Sequence, residues 1–301
     1  MDEEGEEEIE GIEDLLGISA IDRAEMAKED GENMIKFTNY HKSYMFDFVL
    51  YCDFEASLER NEETGRGEHK ASGFSCVRIA SHDALNNDNV FSYNGANAMD
   101  RFFECLEEQR TYINEVMSRD AVPMIPLNEE ERDRVKNCTN CFCCDEKFVD
   151  NKVTHHNHIS GKFVGAACQR CNLMLKPQIF RRHGKSEGLQ YTIPVIFHNG
   201  KAYDNNFILK ALRKEHIQRE IFVIANSSER FISFNVDNFK FIDSAQYLPA
   251  SLDSLVNNLR EGGESNFVHT KRFFSDPEQF KLLQSKLPFC YDYITLLAWT
   301  N

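Results

Sequence analysis

Two groups of residues in this sequence could carry out metal-assisted chemistry, and the first is a set of carboxylates. Asp53 and Glu55 follow directly after the apolar run 46–51, and Asp204 lies a short distance after the apolar run 191–197. If the two runs are neighbouring strands, the three carboxylates meet at one edge of a sheet. Such a cluster can hold two divalent ions about 4 Å apart, an arrangement suited to phosphodiester hydrolysis.

The second group is a set of cysteines, because six of the ten in the chain lie between residues 138 and 171. Two C-x2-C pairs with 23 residues between them could gather around one tetrahedral zinc ion. The four residues of these pairs are Cys141, Cys144, Cys168 and Cys171. Cys138 and Cys143 compete with the first pair as ligands. Clustered cysteines in a chain without a secretion signal indicate metal binding before disulfides.

Histidines between the cysteine pairs form a further candidate site. His155-His156-Asn157-His158 is followed by a turn at Ser160-Gly161, a return strand and a helix that begins near Ala166 and carries Asn172. In this order of strand, strand and helix, one histidine can deprotonate water while a second histidine and Asn172 hold a divalent metal against a phosphate. The alternative is that the histidines are additional zinc ligands.

A basic segment overlaps the second cysteine pair. Residues 162–185 contain no acidic side chain and six basic ones, namely Lys162, Arg170, Lys176, Arg181, Arg182 and Lys185. Positive charge beside a hydrolytic metal site is what binding of a phosphate backbone requires. The segment therefore predicts a nucleic-acid partner.

The net charge of −15 is concentrated at the start of the chain, since residues 1–33 hold 14 Asp or Glu and 2 Lys or Arg. We interpret this segment as a solvated, disordered tail, with an interaction arm as the alternative. The remainder is nearly balanced in charge. With 42% hydrophobic residues in 301, the composition is that of a soluble globular protein. No apolar run approaches the ~18 residues of a membrane span, and no secretion signal is visible, so we expect an intracellular protein without a membrane partner.

The apolar pattern predicts an α/β fold whose elements position these residues. Strands are predicted over 46–51, 73–80, 191–197, 221–225, 231–235 and 239–243, the first two forming a hairpin. Helices are predicted over 96–117 and 206–212 and over most of the C-terminal third. A further helix is predicted to begin at Glu129, with Asn128 as its N-cap. The Glu131 side chain is predicted to complete a capping box by accepting a hydrogen bond from the Asn128 backbone N–H.

The cysteine and histidine segment resembles a nuclease family. CFCCDEKF followed by VTHHNHISGKFVGAACQRCNL is similar to ββα-metal nucleases of the recombination endonuclease VII type, over about residues 141–176. The resemblance implies that the paired cysteines hold zinc, that His156 is the general base, and that His155 and Asn172 bind the catalytic metal. The family has an Asp at the position of His155 and an Arg at that of Val164. Because a neutral ligand replaces an anionic one, we expect manganese to be preferred over magnesium.

The rest of the chain resembles the 3′–5′ exonuclease region of protein-primed family B DNA polymerases, particularly those of Polinton (Maverick) transposons and related viruses. The segments that carry this resemblance are KFTNYHKSYMFDFVLYCDFEA, VIFHNGKAYDNNFILKAL, FKFIDSAQYLPASLDSLVNNL and KLPFCYDYI. They run in this order from about residue 34 to 295. Members of this group often carry an endonuclease VII-like insert between the first and second exonuclease motifs.

The resemblance assigns the exonuclease chemistry to particular residues. Asp53 and Glu55 match the first exonuclease motif, Asp204 matches the second, and Tyr291 is the tyrosine of the third. The three carboxylates would hold two Mg or Mn ions. The family expects a fourth carboxylate where this chain has Thr295, so we expect weak exonuclease activity.

The same resemblance implies contacts with DNA. Asn199 and Tyr203 belong to the second motif and would contact single-stranded 3′ ends. Ser251 and Leu252 match an element that contacts single-stranded DNA and the terminal protein primer. An ordinary helix start with Ser251 as its cap is equally compatible with the sequence.

These assignments predict a ribonuclease H-like exonuclease domain in two parts, 34–137 and 187–301, interrupted by a zinc-stapled ββα-metal insert at 138–186. The predicted function is that of the N-terminal nuclease portion of a mobile-element or viral DNA polymerase acting in DNA replication, with nicking as a second activity. No palm motif is found in the 301 residues, so no polymerase activity is expected from this chain. The alternative is a decayed or domesticated fragment that keeps zinc and DNA binding but not catalysis.

Overall fold

The computed structural model describes residues 45–60, 65, 67–177, 179–180, 190–214, 220–225 and 231–285. Within them the chain forms an α/β fold with a mixed seven-stranded sheet and two small two-stranded sheets. The α/β class is therefore confirmed. The acidic segment 1–33 lies outside the described residues, as do Arg181, Arg182, Lys185, Tyr291 and Thr295.

The strands fall into one large sheet and two pairs. They are β1 (Phe48–Arg60), β2 (Gly67–Ala80), β3 (Val90–Asn94), β4 (Lys152–His156), β5 (Phe163–Cys168), β6 (Ile179–Phe180), β7 (Gln190–Tyr191), β8 (Ile193–Phe197), β9 (Ile221–Ala225), β10 (Phe231–Val236) and β11 (Phe239–Asp243). The order across the large sheet is β3-β2-β1-β8-β11-β10-β9. β8 lies between β1 and β11 and runs parallel to both, whereas the other neighbouring strands are antiparallel.

Seven helices of the described chain accompany the strands. They are α1 (Ala98–Met117), α2 (Glu129–Asn137), α3 (Gln169–Met174), α4 (Asp204–Lys214), α5 (Leu252–Glu261), α6 (Val268–Phe273) and α7 (Pro277–Leu283). None of the described helices is long and apolar enough to cross a membrane. α1 packs against β2, β3 and α4. The N-terminus of α2 has the predicted capping box, in which Asn128 and Glu131 each accept the other's backbone N–H.

Aromatic side chains form the core beneath the large sheet. Phe102 of α1 is fully buried, and its ring lies 4.7 Å from that of Phe54, 5.4 Å from Phe74 and 6.3 Å from Phe197, measured between centroids. Phe54 stands between Asp53 and Glu55 in β1. Because side chains alternate along a strand, burial of Phe54 turns both neighbouring carboxylates to the other side of the strand.

Three of the predicted strands differ from the structure in their limits by more than one residue. The strand predicted over 73–80 begins six residues earlier, at Gly67. β1 does not end at residue 51 but continues to Arg60, because β2 pairs with it over its whole length. Asp53 and Glu55 therefore lie inside a strand and not after its end. The predicted strand 191–197 is divided at Thr192, because Gln190–Tyr191 pairs with β6 whereas Ile193–Phe197 pairs with β1 and β11 in the large sheet.

The histidine segment folds as strand, strand and helix, the predicted order, through β4, β5 and α3. We call these three elements the ββα unit. The helix does not begin near Ala166, because β5 continues through Cys168 with Ala166 and Ala167 buried, and α3 starts at Gln169. The ββα unit is attached to the large sheet through Asn157, whose Nδ2 donates to Asp47 Oδ1 at 2.8 Å.

Candidate functional site

The four paired cysteines form a compact cluster. The Sγ atoms of Cys141, Cys144, Cys168 and Cys171 all lie within 4.8 Å of one another, and all four side chains are buried. A tetrahedral ion with Zn–S bonds of about 2.3 Å requires sulfur atoms about 3.8 Å apart. The distance from Cys144 Sγ to Cys168 Sγ is 4.0 Å, close to that requirement. The cluster could therefore hold a zinc ion, and the thiol of Cys138 instead donates to the Asn140 carbonyl.

Backbone N–H groups point at the sulfur atoms, as expected for thiolate ligands. Cys168 N donates to Cys141 Sγ at 3.3 Å, and Cys171 N donates to Cys168 Sγ at 3.4 Å. Burial raises the pKa of Cys141, but N–H donors of Cys144, Cys168 and Cys143 outweigh it and lower the pKa to about 7. Burial raises the pKa of Cys144 and Cys171. A bound cation would favour the deprotonated form of all four groups.

The cysteine cluster positions the pair of residues predicted to hold a catalytic metal. His155 is only 6% exposed, and its Nδ1 lies 2.7 Å from Asn172 Oδ1. Asn172 follows Cys171 in α3, while the ring of Phe142 stacks on His155 with 5.9 Å between centroids. Gly165 lies opposite His155 in β5, where an added Cβ would come within 2.7 Å of the Phe142 ring.

His156 is half-buried and follows His155 at the end of β4. The pairing of β4 and β5 is irregular between His155 and His156, so the two rings do not simply alternate in direction. The ring centroid of His156 is 5.0 Å from that of His158. Burial lowers the pKa of His156, and the neighbouring His158 and His155 lower it further. A neutral imidazole at this position can accept a proton from water.

The basic side chains of residues 162–185 do not all have the same surroundings in the structure. Lys162 and Arg170 are both exposed on the ββα unit. Arg170 lies 3.3 Å from Glu146, an acid outside the basic segment, and this neighbour raises the pKa of Arg170. Val164, at the position where the resembling family has an Arg, is 47% exposed. Lys162 is thus more available to a phosphate than Arg170.

Two of the predicted carboxylates, Asp53 and Glu55, lie where β1 extends beyond its parallel neighbour. The pairing of β1 with β8 ends at Tyr51 and Ile196, so Asp53 and Glu55 lie just past it. Asp204 is the first residue of α4 and is 5% exposed. Its Oδ1 is buried and finds no hydrogen-bond partner in the described part of the chain.

The charges of these carboxylates act on one another. Burial raises the pKa of Asp204 to about 7, with Asp53 and Asp243 raising it and backbone N–H donors opposing them. Desolvation raises the pKa of Asp53, and desolvation together with the charge of Asp53 raises that of Glu55. A divalent cation beside the three groups would relieve this repulsion.

Three residues near these carboxylates were missed by the sequence analysis. His198 directly follows β8 and lowers the pKa of Asp53 through its charge. Asp243 ends β11 and accepts from the backbone N–H groups of Asn199 at 2.8 Å and Lys201 at 3.0 Å. His69 Nδ1 lies 2.8 Å from the hydroxyl of Tyr203. His198 and Asp243 stand at the ends of segments that were predicted as strands, but the sequence did not predict that these strands are neighbours, and nothing in the sequence marks His69.

The four residues assigned to DNA contacts in the second motif and at the helix start are all exposed. Asn199 is exposed and has a left-handed backbone conformation, with φ 64°. Tyr203 is 36% exposed, and burial together with Asp204 and Glu55 raises its pKa. The Ser251 hydroxyl accepts a hydrogen bond from the Ser254 backbone N–H at 3.2 Å, so Ser251 is the N-cap of α5.

Leu252 begins α5 and is 58% exposed. The residue before Ser251 joins this helix start to the carboxylate site, because the Ala250 carbonyl lies 3.0 Å from His198 Nε2. Ser251 and Leu252 therefore directly follow a residue whose carbonyl contacts His198.

Comparisons of this chain with protein-family models, with curated proteins and with solved structures find no match.

Proposed function

We propose that this chain is a metal-dependent DNA nuclease, the 3′–5′ exonuclease region of a protein-primed family B DNA polymerase with an endonuclease VII-like insert. The sheet order β3-β2-β1-β8-β11 supports this, because a ribonuclease H-like sheet has an antiparallel β1–β3 meander followed by parallel strands. The observation that carries the proposal is the position of Asp53 and Glu55 just past the pairing of β1 with β8, together with the buried Asp204, whose Oδ1 has no hydrogen-bond partner in the described part of the chain.

Asp53, Glu55 and Asp204 would hold Mg²⁺ or Mn²⁺, which supply an activated water and stabilise charge on the scissile phosphate. The chain's own side chains would orient the DNA strand. The charges of Asp204 and Glu55 raise the pKa of Tyr203, and the Tyr203 hydroxyl lies 2.8 Å from His69 Nδ1. This fixed phenol is suited to place the terminal nucleotide over the carboxylates.

The exonuclease function is tested on 5′-labelled single-stranded DNA. We expect Mn²⁺ or Mg²⁺ to produce a ladder that shortens from the 3′ end, because the proposed site accepts a free 3′ end. The rate should be low, and Thr295→Asp should increase it by supplying the fourth carboxylate expected from the family. Shortening from the 5′ end would contradict the polarity, and no degradation with either metal would contradict the activity itself.

We propose a second activity, nicking of DNA, for the ββα unit. The 2.7 Å contact between His155 and Asn172 supports it, because these are the two residues assigned to the metal. His156 stands beside them as the proton acceptor, and Lys162 would contact the phosphate backbone.

Replacing His156 with Ala should abolish nicking of supercoiled plasmid, because no other group is assigned to activate the water. A loss of about 10² to 10⁴-fold is expected for a general base. The wild type should nick faster with Mn²⁺ than with Mg²⁺, since His155 is a neutral ligand. Zinc content serves as the control and should be unchanged. Nicking by the variant at the wild-type rate would remove His156 from this role.

DNA binding should be independent of sequence and sensitive to salt. Arg181→Glu/Arg182→Glu should weaken binding several-fold and reduce the dependence of affinity on salt, because each lost phosphate contact lowers that dependence by about one unit of log–log slope. Fluorescence anisotropy with two unrelated oligonucleotides measures both. Lys136→Glu, which changes a lysine in α2, is the matched control and should leave affinity unchanged. An unaltered slope in the arginine variant would place the DNA surface elsewhere.

A second candidate function is a DNA-binding module without exonuclease chemistry, and one observation favours it. Within the described residues, the cysteine cluster is the one group of three or more His, Cys, Asp or Glu side chains with all ligand atoms inside 4.8 Å. The carboxylate oxygens of Asp53, Glu55 and Asp204 therefore do not all lie within 4.8 Å of one another. Tight DNA binding without 3′ degradation under any divalent ion would establish this alternative.

A further inference from the structure

The hairpin of β1 and β2 projects beyond the rest of the large sheet. β8 pairs with β1 no further than Tyr51, and β3 pairs with β2 no further out than Gly73. β1 and β2 nevertheless stay paired with each other over their remaining length. We call the projecting part, residues 56–60 and 67–71, the hairpin arm. Within the described residues no third strand pairs with this arm, so side-chain contacts decide where it lies against the rest of the fold.

Two side chains of the hairpin arm contact α4 and the residue directly before it. Glu68 accepts from Lys210 Nζ at 3.0 Å, and His69 Nδ1 lies 2.8 Å from the hydroxyl of Tyr203. The Glu68 and Lys210 side chains are about half exposed, and an exposed ion pair of this kind contributes little to stability. The imidazole of His69 and the phenol of Tyr203 meet edge to face, with 5.4 Å between ring centroids. The contact of His69 is therefore the one with a defined geometry.

The aromatic core holds the ring of Tyr203 but not its hydroxyl. The Tyr203 ring lies 5.0 Å from that of the buried Phe207, and Phe207 lies 6.0 Å from Phe54, measured between centroids. Within the described residues, His69 is the hydrogen-bond partner of the Tyr203 hydroxyl. Core packing and the His69 contact thus act on opposite ends of one side chain, and together they hold it in one orientation.

We propose that His69 is a positioning residue of the exonuclease site, which holds the Tyr203 hydroxyl where the 3′-terminal nucleotide binds. This inference rests on the proposed exonuclease function, because it requires Tyr203 to contact the DNA strand. A neutral imidazole has one donor and one acceptor nitrogen, and a phenol hydroxyl can both donate and accept. Nδ1 therefore holds the hydroxyl in either tautomer, and in both cases the phenol oxygen keeps a lone pair that can accept a hydrogen bond from the DNA.

Loss of the His69 contact should weaken substrate binding and leave the chemical step nearly unchanged. Tyr203 would contact the DNA strand, whereas the reaction depends on the three carboxylates, which do not change in the variant. An interaction that is equally strong in the bound substrate and in the transition state affects KM and not kcat. His69→Ala should therefore raise KM for 5′-labelled single-stranded DNA by roughly 3- to 10-fold, the effect of one hydrogen bond. We expect kcat to stay within about twofold of the wild type.

Further variants separate positioning from a direct contact between His69 and DNA. Tyr203→Phe removes the hydroxyl and should raise KM to the same extent. Adding His69→Ala to it should raise KM no further, because the two residues act through one contact. His69→Asn should bring KM back to within about twofold of the wild type, since the amide offers a donor and an acceptor near the position of Nδ1. Glu59→Ala changes the same arm at its ion pair with Lys70 and is the matched control, with KM unchanged.

Fluorescence anisotropy with a 5′-labelled tetranucleotide, and Ca²⁺ as the divalent ion, measures binding without requiring activity. We expect His69→Ala to weaken this binding and His69→Asn to restore it, with thermal unfolding showing that both variants are folded. If the wild type degrades DNA but His69→Ala keeps its KM and affinity, the positioning role is wrong and the exonuclease function stands. If no divalent ion supports degradation but affinity follows the expected order, the exonuclease function is wrong and the positioning of Tyr203 by His69 stands. Additive increases in KM for the double variant would make His69 a direct DNA contact and overturn the proposal.

Discussion

A variant with Cys141→Ser and Cys171→Ser should lose its zinc and all nicking activity. Each C-x2-C pair then keeps one thiolate, and two thiolates do not make a closed tetrahedral site. Structural zinc supplies about 10–16 kcal/mol of binding free energy in zinc-finger peptides, more than a unit as small as β4, β5 and α3 can replace by packing. Elemental analysis should find about one zinc per wild-type chain and almost none in the variant.

The predicted loss of nicking follows from how the cluster holds the site. Cys168 caps α3 through its side chain, and Asn172 is the next residue after Cys171. Phe142 follows Cys141, and its ring stacks on His155. Without the ion, both sides of the contact between His155 and Asn172 lose their support.

Exonuclease activity in the same variant should stay within about twofold of the wild type, because the large sheet has its own aromatic core. Cys138→Ser is the matched control and should keep its zinc, since this thiol lies outside the cluster. Zinc retained by the double variant would make Cys138 and Cys143 the ligands. Nicking by a zinc-free variant would contradict the dependence of His155 and Asn172 on the cluster.

The sequence was most informative where the chemistry is local. The spacing of the cysteine pairs predicted the cluster that the structure contains, because each C-x2-C pair occupies a single turn. The capping box at Asn128 and Glu131 was likewise predicted, since its hydrogen bonds span three residues. Local patterns of this kind do not depend on which strand pairs with which.

The sequence was least informative where pairing between distant strands decides the outcome. β1 was predicted to end at residue 51, but pairing with β2 carries it to Arg60. Asp243 was not recognised as a site residue, although it holds the turn at Asn199 and Lys201 through two hydrogen bonds. These contacts form only once β8 and β11 are neighbours, and the apolar pattern of neither segment predicts that pairing.

Asp53→Asn should reduce exonuclease activity by roughly 10³-fold while leaving nicking unchanged. Asp53 and Asp204 repel each other in the metal-free protein, and two-metal hydrolysis requires anionic ligands at this point. Removing one fixed group that stabilises transition-state charge costs about 10² to 10³ in rate, and the loss of an ion held by the same group adds to this. The rate on 5′-labelled single-stranded DNA measures the effect.

Asp204→Asn should reduce exonuclease activity to a similar extent and should not lower the temperature of thermal unfolding. A buried carboxylate with a raised pKa, facing another carboxylate, destabilises the metal-free fold, so its neutral isostere removes repulsion. Glu59→Ala in β1 is the matched control, because Glu59 is an exposed partner of Lys70 and its loss should leave the rate unchanged. If both Asn variants degraded DNA at the wild-type rate, these carboxylates would not be the metal ligands. If Asp204→Asn were strongly destabilised, the role of Asp204 would lie in the fold and not in catalysis.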